Sequence, residues 1–130
     1  MDLLGVSGVE DKLQDDVAVC IESLRNAGIQ VWMLTGDKVE TATCIAISAG
    51  FKKRGEKLFY MRDLEDPWEA SKRLELFSRN ASKDILMIDG GSLDLLLKDK
   101  KLEEKFFMES TKAPSVCVCR CSPTQKAIIT

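Results

Sequence analysis

The sequence predicts an α/β fold with a mainly parallel sheet, and three observations support it. Short apolar runs occur at 29–34, 85–88 and 116–119, with little polar alternation inside them. Such runs suit strands covered on both faces. Segments with helical spacing of apolar residues lie between the runs, and glycine, proline or aspartate marks most of the junctions. Strands that alternate with helices build parallel sheets.

Leu3 to Val9, broken by Gly5 and Gly8, reads as a strand leading into a loop. Val17, Cys20, Ile21 and Leu24 then fall on one helical face, with Asp15 and Asp16 at the positive N-terminal end and Gly28 as the stop. Ile29 to Leu34 is a buried strand, and Trp32 is a core residue within it. Asp37 starts a second helix, with Ala42, Ile45, Ala46 and Ala49 as its core stripe and Gly50 as its end. Residues 51–64 form a basic connection with a short edge strand near Leu58 to Met61. Pro67 opens a polar helix to about Asn80. Ile85 to Ile88 is a buried strand followed by the turn Asp89-Gly90-Gly91, in which Asp89 is a turn residue. Ser92 can cap a helix through Leu97. Residues 98–112 form a surface helix, and its lysine-rich 98–105 stretch reads as a solvated face. Val116 to Cys119 is the last strand, and Pro123 opens a helix that the end of the sequence truncates.

The 130 residues fit one domain, and 45% hydrophobic residues suffice for a core. The net charge of −2 offers no general basic field for nucleic acid. No histidine is present, which excludes His-based triads and His-ligated metal sites. No apolar run reaches the roughly 20 residues needed to span a bilayer. The five cysteines, an odd number, read as reduced cytosolic thiols. Cys117, Cys119 and Cys121 alternate and would share one strand face as buried thiols; three ligands this close are poor tetrahedral geometry. Trp68, Phe106 and Phe107 read as packing residues.

Two loops stand where strands end and helices begin, the usual place for sites in such sheets. In Thr35-Gly36-Asp37-Lys38, the hydroxyl of Thr35 is presented at the sheet edge. Gly36 allows an oxyanion to approach the backbone, and the next helix offers free N–H groups. Asp37 with Glu40 also spells a capping box, so spacing alone leaves a structural turn open. In Arg120-Cys121-Ser122-Pro123-Thr124-Gln125-Lys126, Arg120 can reach a polyphosphate or ribose. Lys126, in the first helical turn against the dipole, suits a bound anion; ordinary surface charges are the alternative. Residues 8–15, Gly-Val-Glu-Asp-Lys-Leu-Gln-Asp, read alone as an N-terminal cap.

Together and in this order, Gly8-Val9-Glu10-Asp11-Lys12-Leu13-Gln14-Asp15, Leu34-Thr35-Gly36-Asp37-Lys38 with Glu40-Thr41-Ala42, and Cys119-Arg120-Cys121-Ser122-Pro123-Thr124-Gln125-Lys126-Ala127 resemble the phosphorylation domain of P-type ATPases. Asp11-Lys12-Leu13-Gln14 in place of Asp-Pro-Pro-Arg, and the glutamine before the lysine, select the phospholipid-transporting (flippase) branch over the cation pumps. The Cys-Arg-Cys-x-Pro-Thr-Gln-Lys form looks closest to Neo1-like flippases. Residues 51–83 match far less.

The resemblance implies a haloacid-dehalogenase-like, Rossmannoid three-layer fold, here incomplete. It implies a parent ATPase that moves phospholipid through an aspartyl-phosphate, using ATP and Mg2+. Carried over, Thr35 donates its hydroxyl to the phosphoryl group, Gly36 its backbone N–H, and Asp37 sits beside them and also reaches nucleotide or hinge contacts. Lys126 neutralises phosphoryl charge, Arg120 approaches ribose and phosphates, and Asp11 and Gln14 lie near the ribose. Lys38 matches without an assigned contact. Neither Asp-Lys-Thr-Gly-Thr, which carries the family nucleophile, nor the magnesium loop Gly-Asp-Gly-x-x-Asn-Asp occurs. Residues 1–130 are therefore expected to be the C-terminal part of a cytoplasmic phosphorylation domain. The nucleophile, nucleotide-binding domain and Mg2+ ligands would lie elsewhere in an integral membrane parent. The chain alone is expected to be inactive. Its expected partners are nucleotide, other domains of the parent, phospholipid through absent membrane segments and an accessory subunit, with no nucleic acid. The alternatives are the same domain of a cation-transporting pump, a stand-alone phosphatase of the superfamily, which would need an early Asp-x-Asp pair, and a receiver-like interaction domain.

Overall fold

The computed structural model describes residues 5–8 and 12–130. The expected strand at Leu3 to Val9 lies partly outside them, and the described residues 5–8 form no regular structure. Six helices and four strands follow: α1 (Val17–Asn26), β1 (Val31–Leu34), α2 (Val39–Ser48), β2 (Lys57–Met61), α3 (Pro67–Ser78), β3 (Asp84–Asp89), α4 (Gly90–Leu97), α5 (Lys100–Ser110), β4 (Ser115–Cys119) and α6 (Pro123–Ile129). The sheet is wholly parallel, in the order β1-β4-β3-β2. Its two faces are covered separately, giving the expected three layers. Ile21 of α1 and Val39, Ala42 and Ala46 of α2 pack on Ile85, Met87, Cys117 and Cys119. Leu74, Phe77, Leu93, Leu96 and Phe106 pack on Leu86, Ile88, Val116 and Val118 from the other side.

Burial follows strand order. All five residues of β4 are buried, whereas β1 is half-buried along its length. The expectation that residues 29–34 form a buried strand therefore needs correction. β1 pairs with β4 on one side only, and Ile29 precedes the strand at 52% exposure. α1 covers this edge strand, so part of its apolar stripe overhangs the sheet. Ile21 is buried and Val17 half-buried, but Cys20 and Leu24 are exposed. Trp32 packs against the core from the edge strand and is only partly buried. Trp68, expected to pack inside, is 70% exposed, with the Lys72 ammonium 4.8 Å from its ring centroid.

Helix starts differ from expectation in two places. α2 is capped at Lys38 with no side-chain bond, so Asp37 and Glu40 form no capping box. α4 starts at Gly90 rather than after a turn. Asp89 is its cap and accepts from the Ser92 N–H at 2.7 Å, while Ser92 is buried inside the helix. Asp66, Asp99 and Ser122 cap α3, α5 and α6 with their side chains.

Candidate functional site

Because the strands are parallel, the loops after β1, β3 and β4 open at one end of the sheet. Backbone bonds fasten two of them together. The Thr35 N–H donates to Val118 O at 2.9 Å, extending the ladder by one residue. The Arg120 N–H donates to Asp37 O and the Cys121 N–H to Thr35 O, each at 2.9 Å. The loop holding Thr35, Gly36 and Asp37 and the loop leading to Lys126 thus form one bound unit.

Within the first loop, the Thr35 hydroxyl donates to the Asp37 carboxylate at 2.8 Å and accepts from the Asp37 N–H at 3.1 Å. The side chain of Asp37 is thereby turned back on Thr35, away from the start of α2. That is why it caps nothing, and why the first turn of α2 keeps its N–H groups free of side-chain partners. Gly36 is exposed, and a Cβ added there would meet nothing within 4 Å. Its value is open access rather than a tight internal fit.

In the second loop, Arg120 adopts φ 48, the left-handed region that ordinary residues avoid. This inverts the strand alternation. Cys117 and Cys119 face α1 and α2, but Cys121 packs in the opposite core, so the three thiols do not share one face as expected. Burial pushes the Cys117 thiol up to about 12, with Cys119 adding to the shift. Burial pushes Cys119 up to about 11, aided by the nearby carboxylates of Asp89, Glu40 and Asp37. Asp89 ends β3, Glu40 lies in the first turn of α2 and Asp37 in the loop before it. Among the described residues no group of three potential ligands could hold a metal ion.

Lys126 is exposed and is the fourth of the seven residues of α6, with its N–H bonded to Ser122 O at 3.0 Å. The thiol of Cys121 is raised by burial, an effect opposed by the Lys126 ammonium. Gln14 is exposed ahead of α1, its carbonyl accepting from the Val17 N–H at 3.4 Å. Asp11 lies outside the described residues. Three clefts of about 380, 390 and 490 Å³ are lined by other residues.

Two residues of this end make contacts beyond the sequence reading, in which Asp89 is a turn residue and Gln125 part of a motif. Asp89 also accepts from the Asp63 N–H at 2.8 Å and so ties the β2 exit to the β3 exit. Gln125 is buried beneath the second loop, and the spacing Ser122-x-x-Gln125, a capping-box pattern, was the signal that could have marked it.

A layered, wholly parallel sheet with two loops fastened together at its C-terminal end is the class defined so far. Comparison with known proteins narrows it. No family model matches the chain. It is 50% identical over its whole length to the phospholipid-transporting ATPase neo1 of Schizosaccharomyces pombe, spanning 12% of that protein. It is 49% identical over 98% of its length to NEO1 of Saccharomyces cerevisiae, and 47% identical over 99% to the human "Probable phospholipid-transporting ATPase IIB", spanning 11% of each. The chain corresponds to a segment of the Neo1-like phospholipid-transporting ATPases, in agreement with the resemblance drawn from its motifs. It covers only about a tenth of their length. No described helix is long and apolar enough to cross a membrane.

Proposed function

We propose that this chain is the C-terminal part of the phosphorylation domain of an ATP-driven phospholipid translocase, and that it supplies phosphate- and nucleotide-side contacts to a reaction completed by other segments of the parent. The observation that carries the reading is the fastening of the Thr35-Gly36-Asp37 loop to the Arg120-to-Lys126 loop at one sheet end. Thr35 and the Gly36 N–H, with the open first turn of α2, would hold phosphoryl oxygens. Lys126 would offset the charge that builds on them, and Arg120, Gln14 and Asp11 would face the nucleotide. Asp37 would orient the Thr35 hydroxyl, the role its present 2.8 Å bond supports. When bound, ATP supplies the phosphoryl group that an aspartate elsewhere in the parent accepts and later releases. Mg2+ ligands would lie in other segments of the parent; among the described residues no group of three His, Cys, Asp or Glu side chains could hold a metal ion. The parent would be an integral membrane protein with this domain on the cytoplasmic side, and the lipid would be chosen by membrane segments.

The test is phosphoenzyme formation from labelled ATP in the full-length transporter. Thr35→Ala and Lys126→Ala are each expected to slow it by about 100-fold or more, the usual loss for one charge-stabilising group. Wild-type rates in both variants would overturn the proposal. The isolated chain is expected to show no ATPase turnover and little affinity for ATP by calorimetry.

A further inference from the structure

α6 carries Lys126, and its apolar contact with the core is made by the partly buried Ile129. Its one buried residue is Gln125, which is polar and 6% exposed. The Gln125 side-chain carbonyl accepts from the Ser122 N–H at 2.8 Å. Its amide nitrogen donates to Gly90 O and to the Asp94 carboxylate, each at 2.7 Å. Both amide hydrogens are therefore used, and the carbonyl is engaged as well. Rotating the amide by half a turn would set a donor against the Ser122 N–H and an acceptor against two oxygens, so one orientation is enforced.

The partner surface is shaped for this contact. A Cβ on Gly90 would lie 2.5 Å from Arg120 O and 2.8 Å from the Gln125 carbonyl oxygen, so the close approach of α4 to the second loop requires glycine. Gly90 and Asp94 belong to α4, whose Leu93 and Leu96 are fixed in the core. Gln125 thus ties α6 to α4, one residue before Lys126.

We propose that Gln125 is a positioning residue: through its amide bonds to Gly90 and Asp94 it sets where Lys126 stands relative to the Thr35 loop. The inference rests on the role proposed above for Lys126. A displacement of about 1 Å at a reacting group can cost on the order of 100-fold in rate. Loss of this anchor should therefore slow the chemistry while leaving Lys126 present and charged.

The test uses the full-length transporter and its rate of phosphoenzyme formation. Gln125→Ala is expected to lower the rate about 10- to 100-fold with little change in the ATP concentration for half-maximal rate. In a Lys126→Ala background the same change should cost less than about twofold, because the group it positions is gone. Additive losses would mean a general structural role and would overturn the proposal. A Lys126→Ala variant with an undiminished rate would instead overturn the role proposed above for Lys126. Asp94 provides a variant that leaves Gln125 intact: Asp94→Asn keeps an acceptor and should retain the rate, whereas Asp94→Leu should reproduce the Gln125→Ala loss. Equal rates for Asp94→Asn and Asp94→Leu would also refute the anchor.

Discussion

Replacing Asp89 with alanine tests the connection between the exits of β2, β3 and α4. Asp89 is 6% exposed and accepts from two backbone donors, Ser92 N–H at 2.7 Å and Asp63 N–H at 2.8 Å. The first bond is a helix cap, worth about 1 kcal/mol. The second is a bond to a charged group, worth roughly 1.5–3 kcal/mol, and Asp63 is held at φ 55, so its turn loses the partner that favours it. The loss should come to about 3 kcal/mol. Unfolding entropy near 2.1 cal/mol/K per residue turns that into a fall in Tm of roughly 10 °C for a chain of this size. Calorimetry and urea titration of the 130-residue chain would measure it. Asp89→Asn should lose about half as much, because its oxygen can still cap Ser92 while its amide opposes the Asp63 N–H. A change below about 0.5 kcal/mol for Asp89→Ala, the range of an unremarkable surface substitution, would refute the two-bond account.

Further predictions follow from burial. Phe77 is fully buried and its ring lies 5.4 Å from that of Phe59, so Phe77→Ala should cost about 3–5 kcal/mol, while Trp68→Ala at an exposed site should stay within about 0.5 kcal/mol; urea midpoints compare them. The thiols of Cys117 and Cys119 are raised from 9.0 to about 12 and about 11 in the folded state. Folding therefore favours their protonated forms. That contribution is complete below pH 9 and declines as the unfolded thiols ionise, by about 1.4 kcal/mol per pH unit for each, until pH passes the folded values. Stability measured from pH 7 to 11 should fall on the alkaline side, and Cys117→Ala with Cys119→Ala should flatten that fall. Thiol labelling at pH 8 should modify Cys20 and Cys44 quickly and the three buried thiols only in denaturant.

Much of the fold was legible because its signals were local. Runs such as Ile85 to Ile88 and Val116 to Cys119 could be read as covered strands without knowing their neighbours. The order β1-β4-β3-β2 was not legible, since sequence does not say which strand is left at an edge. That order explains why Trp32 and the 29–34 run are less buried than their composition suggests. Caps misled where two polar residues competed. Ser92 and Asp37 both have capping side chains, but Asp89 reached the α4 terminus first and Thr35 captured Asp37. The site loops were found by motif, and their fastening by backbone bonds involves no side chain that a motif could register. Gln125 was noticed as part of a pattern, but its buried contacts with Gly90 and Asp94 depend on a meeting across more than thirty residues.

The left-handed turn at Arg120 also bears on how the chain meets oxidants. By turning Cys121 to the other side of the sheet from Cys119, it separates thiols that are two residues apart in sequence. A disulfide needs side chains that point toward one another, and here the strand lies between them. With their thiolate forms suppressed, these sulfurs are also poor nucleophiles toward peroxide. Oxidation would begin at Cys20 and Cys44 on the outer helices, sparing the thiol in the fastened pair of loops, one holding Thr35 and the other leading to Lys126.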